Sequence, residues 1–146
     1  MSYKNENMKM IELHENGLDI QFRIRENGVV ELADFSSQEV KKAVMEPKED
    51  ICYPAVEIHR SGTGSLNMHA YKNNINQSSV DFVYENHELK AQDGGKELEI
   101  VMISSEKLKA VYHMRLFDGV PAVQTWTEII NEGSADQGLT YVSSFM

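Results

Sequence analysis

The sequence predicts an all-β fold, an antiparallel β-sandwich of the supersandwich type that includes at most one short helix. Apolar and polar residues alternate with a period of two in several segments, which is typical of strands with one buried face. Turn signals rich in Gly, Asn and Asp recur about every 8–15 residues, and helical spacing is almost absent. The 146 residues therefore predict a single sandwich domain over 1–146, too short for a (β/α)₈ barrel of at least about 200 residues.

The first hairpin gives the clearest local pattern. Along residues 18–24 we expect one face to be buried and the other exposed, that is, buried Leu18, Ile20, Phe22 and Ile24 beside exposed Asp19, Gln21 and Arg23. Asn27-Gly28 follows and supplies the positive φ angles that a tight hairpin turn requires. Residues 29–33 then return as the partner strand.

The second half of the chain repeats this pattern. Alternating segments over 97–102, 107–116 and 123–130 are separated by Gly-containing turns, and a further strand begins at Leu139. On these strands we expect His113 to be solvated, and we interpret the neighbouring glutamates Glu97 and Glu99 as solubilising residues rather than a catalytic pair.

Two segments depart from the strand pattern. Ser36 and Glu39 form a potential capping box, and apolar residues at helical spacing follow until Pro47, so a short helix is an alternative there. Residues 61–79 are rich in Gly, Ser and Asn and predict a long loop of the kind that often carries function.

Composition restricts the class of protein. The 14 Lys and Arg residues against 23 Asp and Glu residues give a net charge of −9, which opposes binding to nucleic acid. The single cysteine, Cys52, excludes an intrachain disulfide, and the histidine spacing contains no metal motif, so we predict neither a metal nor a cofactor. A polar N-terminus and the lack of an apolar run of about 18 residues predict a cytoplasmic protein without a membrane span.

The candidate site residues come from the loop region and from one strand. His59 and His69 flank the Gly-rich loop and are candidates to converge on a ligand. Trp126, the sole tryptophan, shares a strand face with polar residues and Ile130. It is a candidate for inter-domain packing or for stacking on a sugar, whereas a place in the core is the simpler interpretation.

Residues 120–133 and 139–145, a strand, an Asn-x-Gly turn at Asn131 and a second strand ending in Ser-Ser-Phe, resemble the N-terminal β-sandwich domain of family 36 glycoside hydrolases. These are the bacterial α-galactosidases. Tyr53-Pro54 and the run 112–119 are similar to the same domain more loosely. The resemblance spans most of the chain and is most specific in its C-terminal third.

The resemblance implies a non-catalytic module that precedes a catalytic (β/α)₈ barrel in a larger polypeptide. Such enzymes hydrolyse terminal α-galactosides in oligosaccharides with an Asp nucleophile and an Asp acid/base, both in the barrel, so this chain would contain no catalytic residue. The implied partners are the barrel of the same polypeptide, further copies in a homo-oligomer and the oligosaccharide substrate. The abrupt end at Met146 fits an N-terminal fragment.

The substrate loop of many members follows a Tyr-Pro pair and contains an Asp-Phe-Arg element. Tyr53-Pro54 is present here and that element is missing, whereas residues 67–72 are partly similar to a His-rich, Lys-containing loop of other members. The resemblance therefore implies a substrate-proximal group of four residues, namely His59, Arg60, His69 and Lys72. Two alternatives stay open beside the α-galactosidase module. One is a free-standing carbohydrate-binding module, which needs an exposed aromatic platform. The other is a mutarotase-like sugar-processing protein, which needs a His and a Glu that converge in a sheet cleft.

Overall fold

The computed structural model describes residues 9–38, 53–63 and 77–145. In these ranges the chain forms antiparallel strands and one helical turn, joined into three sheets of order β1-β2-β3, β4-β9 and β5-β6-β7-β8. The elements are β1 Lys9–Glu15, β2 Leu18–Ile24, β3 Val30–Ser37, β4 Ile58–Arg60, α1 Gln77–Val80, β5 Val83–Gln92, β6 Gly95–Ile103, β7 Leu108–Phe117, β8 Val120–Asn131 and β9 Leu139–Val142. The predicted all-β sandwich is confirmed.

The three-stranded sheet contains the hairpin predicted at Asn27-Gly28, but its tightest turn is elsewhere. Asn16 (φ 52°) and Gly17 (φ 82°) form a two-residue turn between β1 and β2, and positive φ at both positions is what such a turn requires. In the β2–β3 turn only Gly28 has a positive φ, whereas the side-chain Oδ1 of Asn27 accepts a hydrogen bond from the backbone of Val29. Asn27 therefore stabilises the β2–β3 turn through its side chain, and not through the positive φ that the sequence predicted for it.

One apolar core lies between the sheets. The β1 and β2 side chains of one sheet pack with the β6 and β7 side chains of the other, and Val30, Ala55, Val56, Ile58 and Phe82 complete the cluster. Leu18, Ile20, Phe22 and Ile24 are all buried, as the alternation predicts. The period of two therefore identifies the core-facing side of β2.

Arg23 corrects the prediction for the other face of β2, because it is only 7% exposed. It lies opposite Glu31 in the sheet register, and its Nη1 is 3.6 Å from Glu31 Oε2. Glu31 Oε1 in turn accepts hydrogen bonds from Arg25 and from the backbone N–H of Tyr53. A buried charge is stable only when it is paired in this way, and the partner comes from a neighbouring strand.

Helix placement also differs from the expectation. Ser36 lies in β3, where its hydroxyl donates to Asp34, so it does not begin a helix; the rest of that predicted segment, 39–47, lies outside the described residues. The short helix is α1, at the end of the predicted 61–79 loop. Its Ser79 side chain bonds both the N–H and the C=O of Ile58, which fixes α1 against β4.

No helix in the ranges 9–38, 53–63 and 77–145 has the length and apolar character to cross a bilayer.

Candidate functional site

The side of β6, β7 and β8 that faces away from the core holds a cluster of acidic and aromatic side chains. The sheet register places Glu99 opposite His113 and His113 opposite Trp126. Residues two positions away from these along each strand point to the same side of the sheet. We call this surface the acidic face and define it by six residues: Glu97, Glu99, His113, Arg115, Trp126 and Glu128.

His113 is the centre of the acidic face. Its Nδ1 lies 2.9 Å from Glu97 Oε1 and 3.9 Å from Glu99 Oε1, and its Nε2 lies 3.7 Å from Glu128 Oε2. The residue is only 8% exposed, so the expected solvated histidine is wrong. Its neighbours on both adjacent strands cover the ring, and three carboxylates surround it.

Trp126 is half-buried and stacks on His113. The two ring centroids are 4.7 Å apart and the ring planes differ by 5°. The neighbouring residues Val123 and Ile129, which point to the other side of β8, pack against the core. Trp126 is therefore outside the core, and one face of its indole is covered by an imidazole rather than left as a bare stacking platform.

The acidic face has one lysine that neutralises part of its charge. Lys90 Nζ on β5 lies 2.5 Å from Glu99 Oε2 and 3.7 Å from Glu88 Oε2. The hydrogen bond to Glu99 raises the pKa of Lys90 above its ordinary value, so the lysine stays charged. Glu97 and Glu128 have His113 as their common neighbour.

Two buried nitrogen atoms on the acidic face have no hydrogen-bond partner among the described residues, His113 Nε2 and Arg115 Nε. They lie two positions apart on β7 and therefore on the same side of the sheet. Leaving a buried polar group unpaired costs about 1–3 kcal/mol. Buried unpaired groups of this kind are rare in folded proteins and are explained by local strain, a catalytic role, or a bound water or ion.

The substrate-proximal group predicted from the loop has a different environment. Arg60 is buried, and its guanidinium donates to Ser78 Oγ (3.0 Å), Asp81 Oδ2 (3.0 Å) and Glu106 Oε2 (2.9 Å). Asp81 Oδ2 also accepts from the hydroxyl of Ser105. Arg60 thus connects β4, α1 and the β6–β7 turn, and its donors are engaged inside the protein.

His59 lies on β4 with its Nε2 2.6 Å from Glu57 Oε1, and its ring centroid is 5.2 Å from that of the exposed Tyr141 on β9. The other two members of the predicted group, His69 and Lys72, lie outside the described residues. His59 and Arg60 are neighbours in the chain but face different partners. They do not share a site in the described part of the structure.

A scan against models of protein families finds no match to this sequence, and a search of curated proteins finds no significantly similar one.

Proposed function

We propose that this chain is a non-catalytic β-sandwich module of an α-galactosidase, with the β8 side of the acidic face packed against the catalytic barrel of the same polypeptide. The position of Trp126 is the observation that carries the proposal. A large aromatic side chain on the side of the sheet away from the core, half-buried and stacked on His113, is typical of a surface that contacts another domain.

The neighbouring apolar side chains support the same surface. β8 is the last strand of the four-stranded sheet, and Val120 and Ile130 at its two ends are 49% and 40% exposed. Both have the same strand parity as Trp126 and so lie on its side of β8. Exposed apolar groups on the same side of an edge strand as a half-buried tryptophan are consistent with an inter-domain interface.

The resemblance to family 36 falls on the same part of the fold. Residues 120–133 form β8 and its following turn, where Gly133 N–H donates to Asn131 Oδ1, and β9 ends next to Ser143, Ser144 and Phe145. Under this proposal the barrel supplies both catalytic carboxylates, further copies of the enzyme form a homo-oligomer, and the substrate is an α-galactoside.

Two measurements test the module proposal together. The purified chain is expected to release no nitrophenol from nitrophenyl α-galactoside above background, because under this proposal both carboxyl groups of the retaining pair, about 5–5.5 Å apart across the glycosidic bond, belong to the barrel. The gene is expected to continue in frame beyond codon 146 for at least about 200–250 codons that encode a barrel. A stop codon at 147, or turnover abolished by one Asp or Glu substitution in this chain, contradicts the proposal.

A second candidate is a mutarotase-like activity, favoured by the His113–Glu97 pair, which sequence analysis did not identify. In such a reaction the imidazole takes the proton from the O1 hydroxyl of a sugar while a carboxylic acid protonates the ring oxygen. The C1–O5 bond opens to an aldehyde, and closure from the other side gives the second anomer. His113 and its three neighbouring carboxylates provide groups of both types. Because His113 is only 8% exposed, a sugar reaches its imidazole only after Trp126 or Glu128 moves aside.

Polarimetry separates the two candidates. Freshly dissolved α-D-galactose changes its rotation slowly in buffer, and a mutarotase-like protein accelerates this change at catalytic concentration. The acceleration should disappear in His113→Asn and in Glu97→Gln and persist in Glu132→Gln, a control at the far end of β8, where Glu132 pairs with Lys109. An unaccelerated rate with the folded wild-type chain eliminates this second candidate and leaves the module proposal in place.

A further inference from the structure

We propose that Glu97, Glu99 and His113 bind a divalent transition-metal ion, with Zn²⁺ as the best match. One ligand atom from each residue lies within 4.8 Å of the other two. The donors are an imidazole nitrogen and two carboxylate oxygens, a set that suits zinc, which takes His nitrogen and Glu oxygen at about 2.0–2.2 Å. Three protein ligands leave a further coordination position for water or another ligand.

The measured separations fit such an ion. Ligands around a tetrahedral zinc at these bond lengths are roughly 3.4 Å apart. The separations from His113 Nδ1, 2.9 Å to Glu97 Oε1 and 3.9 Å to Glu99 Oε1, bracket this value.

The sheet holds the three ligands in place. Glu97 and Glu99 are two positions apart on β6, and Glu99 is directly opposite His113 on β7. Side chains at such positions point to the same side of a sheet, and their Cβ atoms are about 4.5–5.5 Å apart across the strands. Trp126 stacks on the imidazole from β8, which further restricts its rotation.

A buried ring nitrogen of His113 without a hydrogen-bond partner among the described residues supports the proposal. His113 is more than nine-tenths buried, and its Nε2 has no hydrogen-bond partner among the described residues. Nδ1 lies on the side of Glu97 and Glu99, and Nε2 faces Glu128 from the opposite edge of the ring. A metal ion on Nδ1 leaves the ring proton on Nε2, where Glu128 can accept it.

Glu128 then becomes the hydrogen-bond acceptor for the metal-bound ring. Histidines that bind metals usually donate their second ring N–H to a carboxylate, which fixes the tautomer. The Glu128 side chain is 59% exposed and lies 3.7 Å from Nε2, so it is free to approach. A metal therefore pairs both ring nitrogens.

The local charge favours a divalent cation. Three glutamates surround His113, whereas two cations lie beside them, Lys90 on Glu99 and Arg115 opposite Glu97 in the sheet register. A metal on Glu99 competes with Lys90 for the same carboxylate. Replacing this lysine with methionine should therefore strengthen metal binding, whereas a purely structural cluster would only lose an ion pair.

Fluorescence of the sole tryptophan gives a local readout. Co²⁺ occupies zinc sites and quenches an indole at short range, so Co²⁺ added to the metal-free chain should quench Trp126 with a stoichiometry of one, and Zn²⁺ should reverse the quenching. Calorimetry with Zn²⁺ alone measures the affinity.

The variants are matched in chemistry. Glu97→Gln and Glu99→Gln should each weaken Zn²⁺ at least as much as the roughly 10–100-fold typical of a supporting residue, and Glu128→Gln should fall in that range. Glu132→Gln makes the same change away from the cluster and should have no effect. A circular dichroism spectrum of each variant confirms that it is folded.

The proposal is overturned if Zn²⁺ and Co²⁺ do not bind, if Co²⁺ leaves the Trp126 emission unchanged, or if Glu97→Gln and Glu99→Gln bind Zn²⁺ as tightly as the wild type. The measurement needs no sugar and no catalytic activity, so its outcome is independent of both functions proposed above.

Discussion

The ring of Phe22 meets the ring of Tyr112 edge to face, with centroids 5.6 Å apart and planes at 63°. Phe22 belongs to β2 and Tyr112 to β7, so this contact joins the three-stranded sheet to the four-stranded sheet. Both side chains are almost completely buried, at 0% and 1% exposure. The same burial raises the pKa of the Tyr112 phenol well above its ordinary value, which keeps the group neutral in the core.

Replacing Phe22 with alanine should lower the free energy of unfolding by about 3–5 kcal/mol, because it removes the ring and leaves a cavity between the sheets. Urea denaturation followed by circular dichroism measures the change. Leu89→Ala is the control, since Leu89 is 42% exposed and its loss should stay within about 0.5 kcal/mol. Equal effects of the two substitutions would contradict the assigned core.

Two adjacent glycines in the β5–β6 turn should respond differently to alanine. A Cβ on Gly95 would lie 1.9 Å from the backbone oxygen of Leu116, whereas a Cβ on Gly94 meets nothing within 4 Å. Gly94→Ala should cost only about 1–2 kcal/mol, from its φ of 72°. Gly95→Ala should cost more, because β6 must move away from β7. The free energies of unfolding of the two variants, measured side by side, test this order.

Arg60→Lys should destabilise the protein by about 1.5–3 kcal/mol, because a lysine cannot donate to Ser78, Asp81 and Glu106 at the same time. Lys109→Gln removes a more exposed ion pair, with Glu132, and should change the free energy of unfolding by less than about 1 kcal/mol. An equally small loss for Arg60→Lys would show that the buried guanidinium is not a structural anchor.

His14 and His87 should titrate on opposite sides of 6.5. The hydrogen bond that His14 donates to the Asp19 carboxylate raises the pKa of His14, whereas burial, helped by the charge of Lys9, lowers the pKa of His87. The His14 contribution to stability is therefore present below pH 6.5 and is lost as the pH rises through its raised pKa. The pKa of His87 is lowered in the folded protein, so the unfolded chain takes up this proton first and stability falls as the pH drops below 6.5.

Proton NMR of the imidazole rings measures both pKa values directly. Asp19→Asn should bring the pKa of His14 down towards 6.5 and leave that of His87 unchanged. A wild-type His14 that titrates at or below 6.5 would refute the assigned pair, as would a His14 that does not respond to the substitution.

The strands with a clear period of two could be predicted from the sequence, and their buried sides were identified residue by residue in β2. β5 was missed because its sequence, VYENHELKAQ, is mostly exposed on both sides and so has little alternation. The tight turn at Asn16-Gly17 was also missed, although it has the same Asn-Gly signal as the turn that was identified. The local pattern did not identify β1, the strand that precedes the Asn16-Gly17 turn.

The acidic face could not be predicted because it depends on register. Glu97 and His113 are 16 residues apart in the sequence, and each taken alone is an ordinary polar residue on a strand. The turn after Ile103 and the backbone pairing of β6 with β7 bring them to 2.9 Å. The burial of Arg23 could not be predicted for the same reason, because it depends on pairing with Glu31 on the next strand.

The pairing of β4 with β9 has a consequence for synthesis of the protein. The hydroxyl of Thr140 donates a hydrogen bond to the backbone oxygen of His59, 81 positions earlier in the chain. The backbone N–H of Glu57 donates to the hydroxyl of Ser143, 86 positions later. At about 5–20 residues per second, a ribosome needs about 4–16 s to add the 81 residues that separate the first pair. During that interval the nascent β4 lacks its strand partner, and Ile58 is open to contact with other chains. The β6–β7 hairpin, in contrast, needs only residues that are already synthesised once β7 emerges.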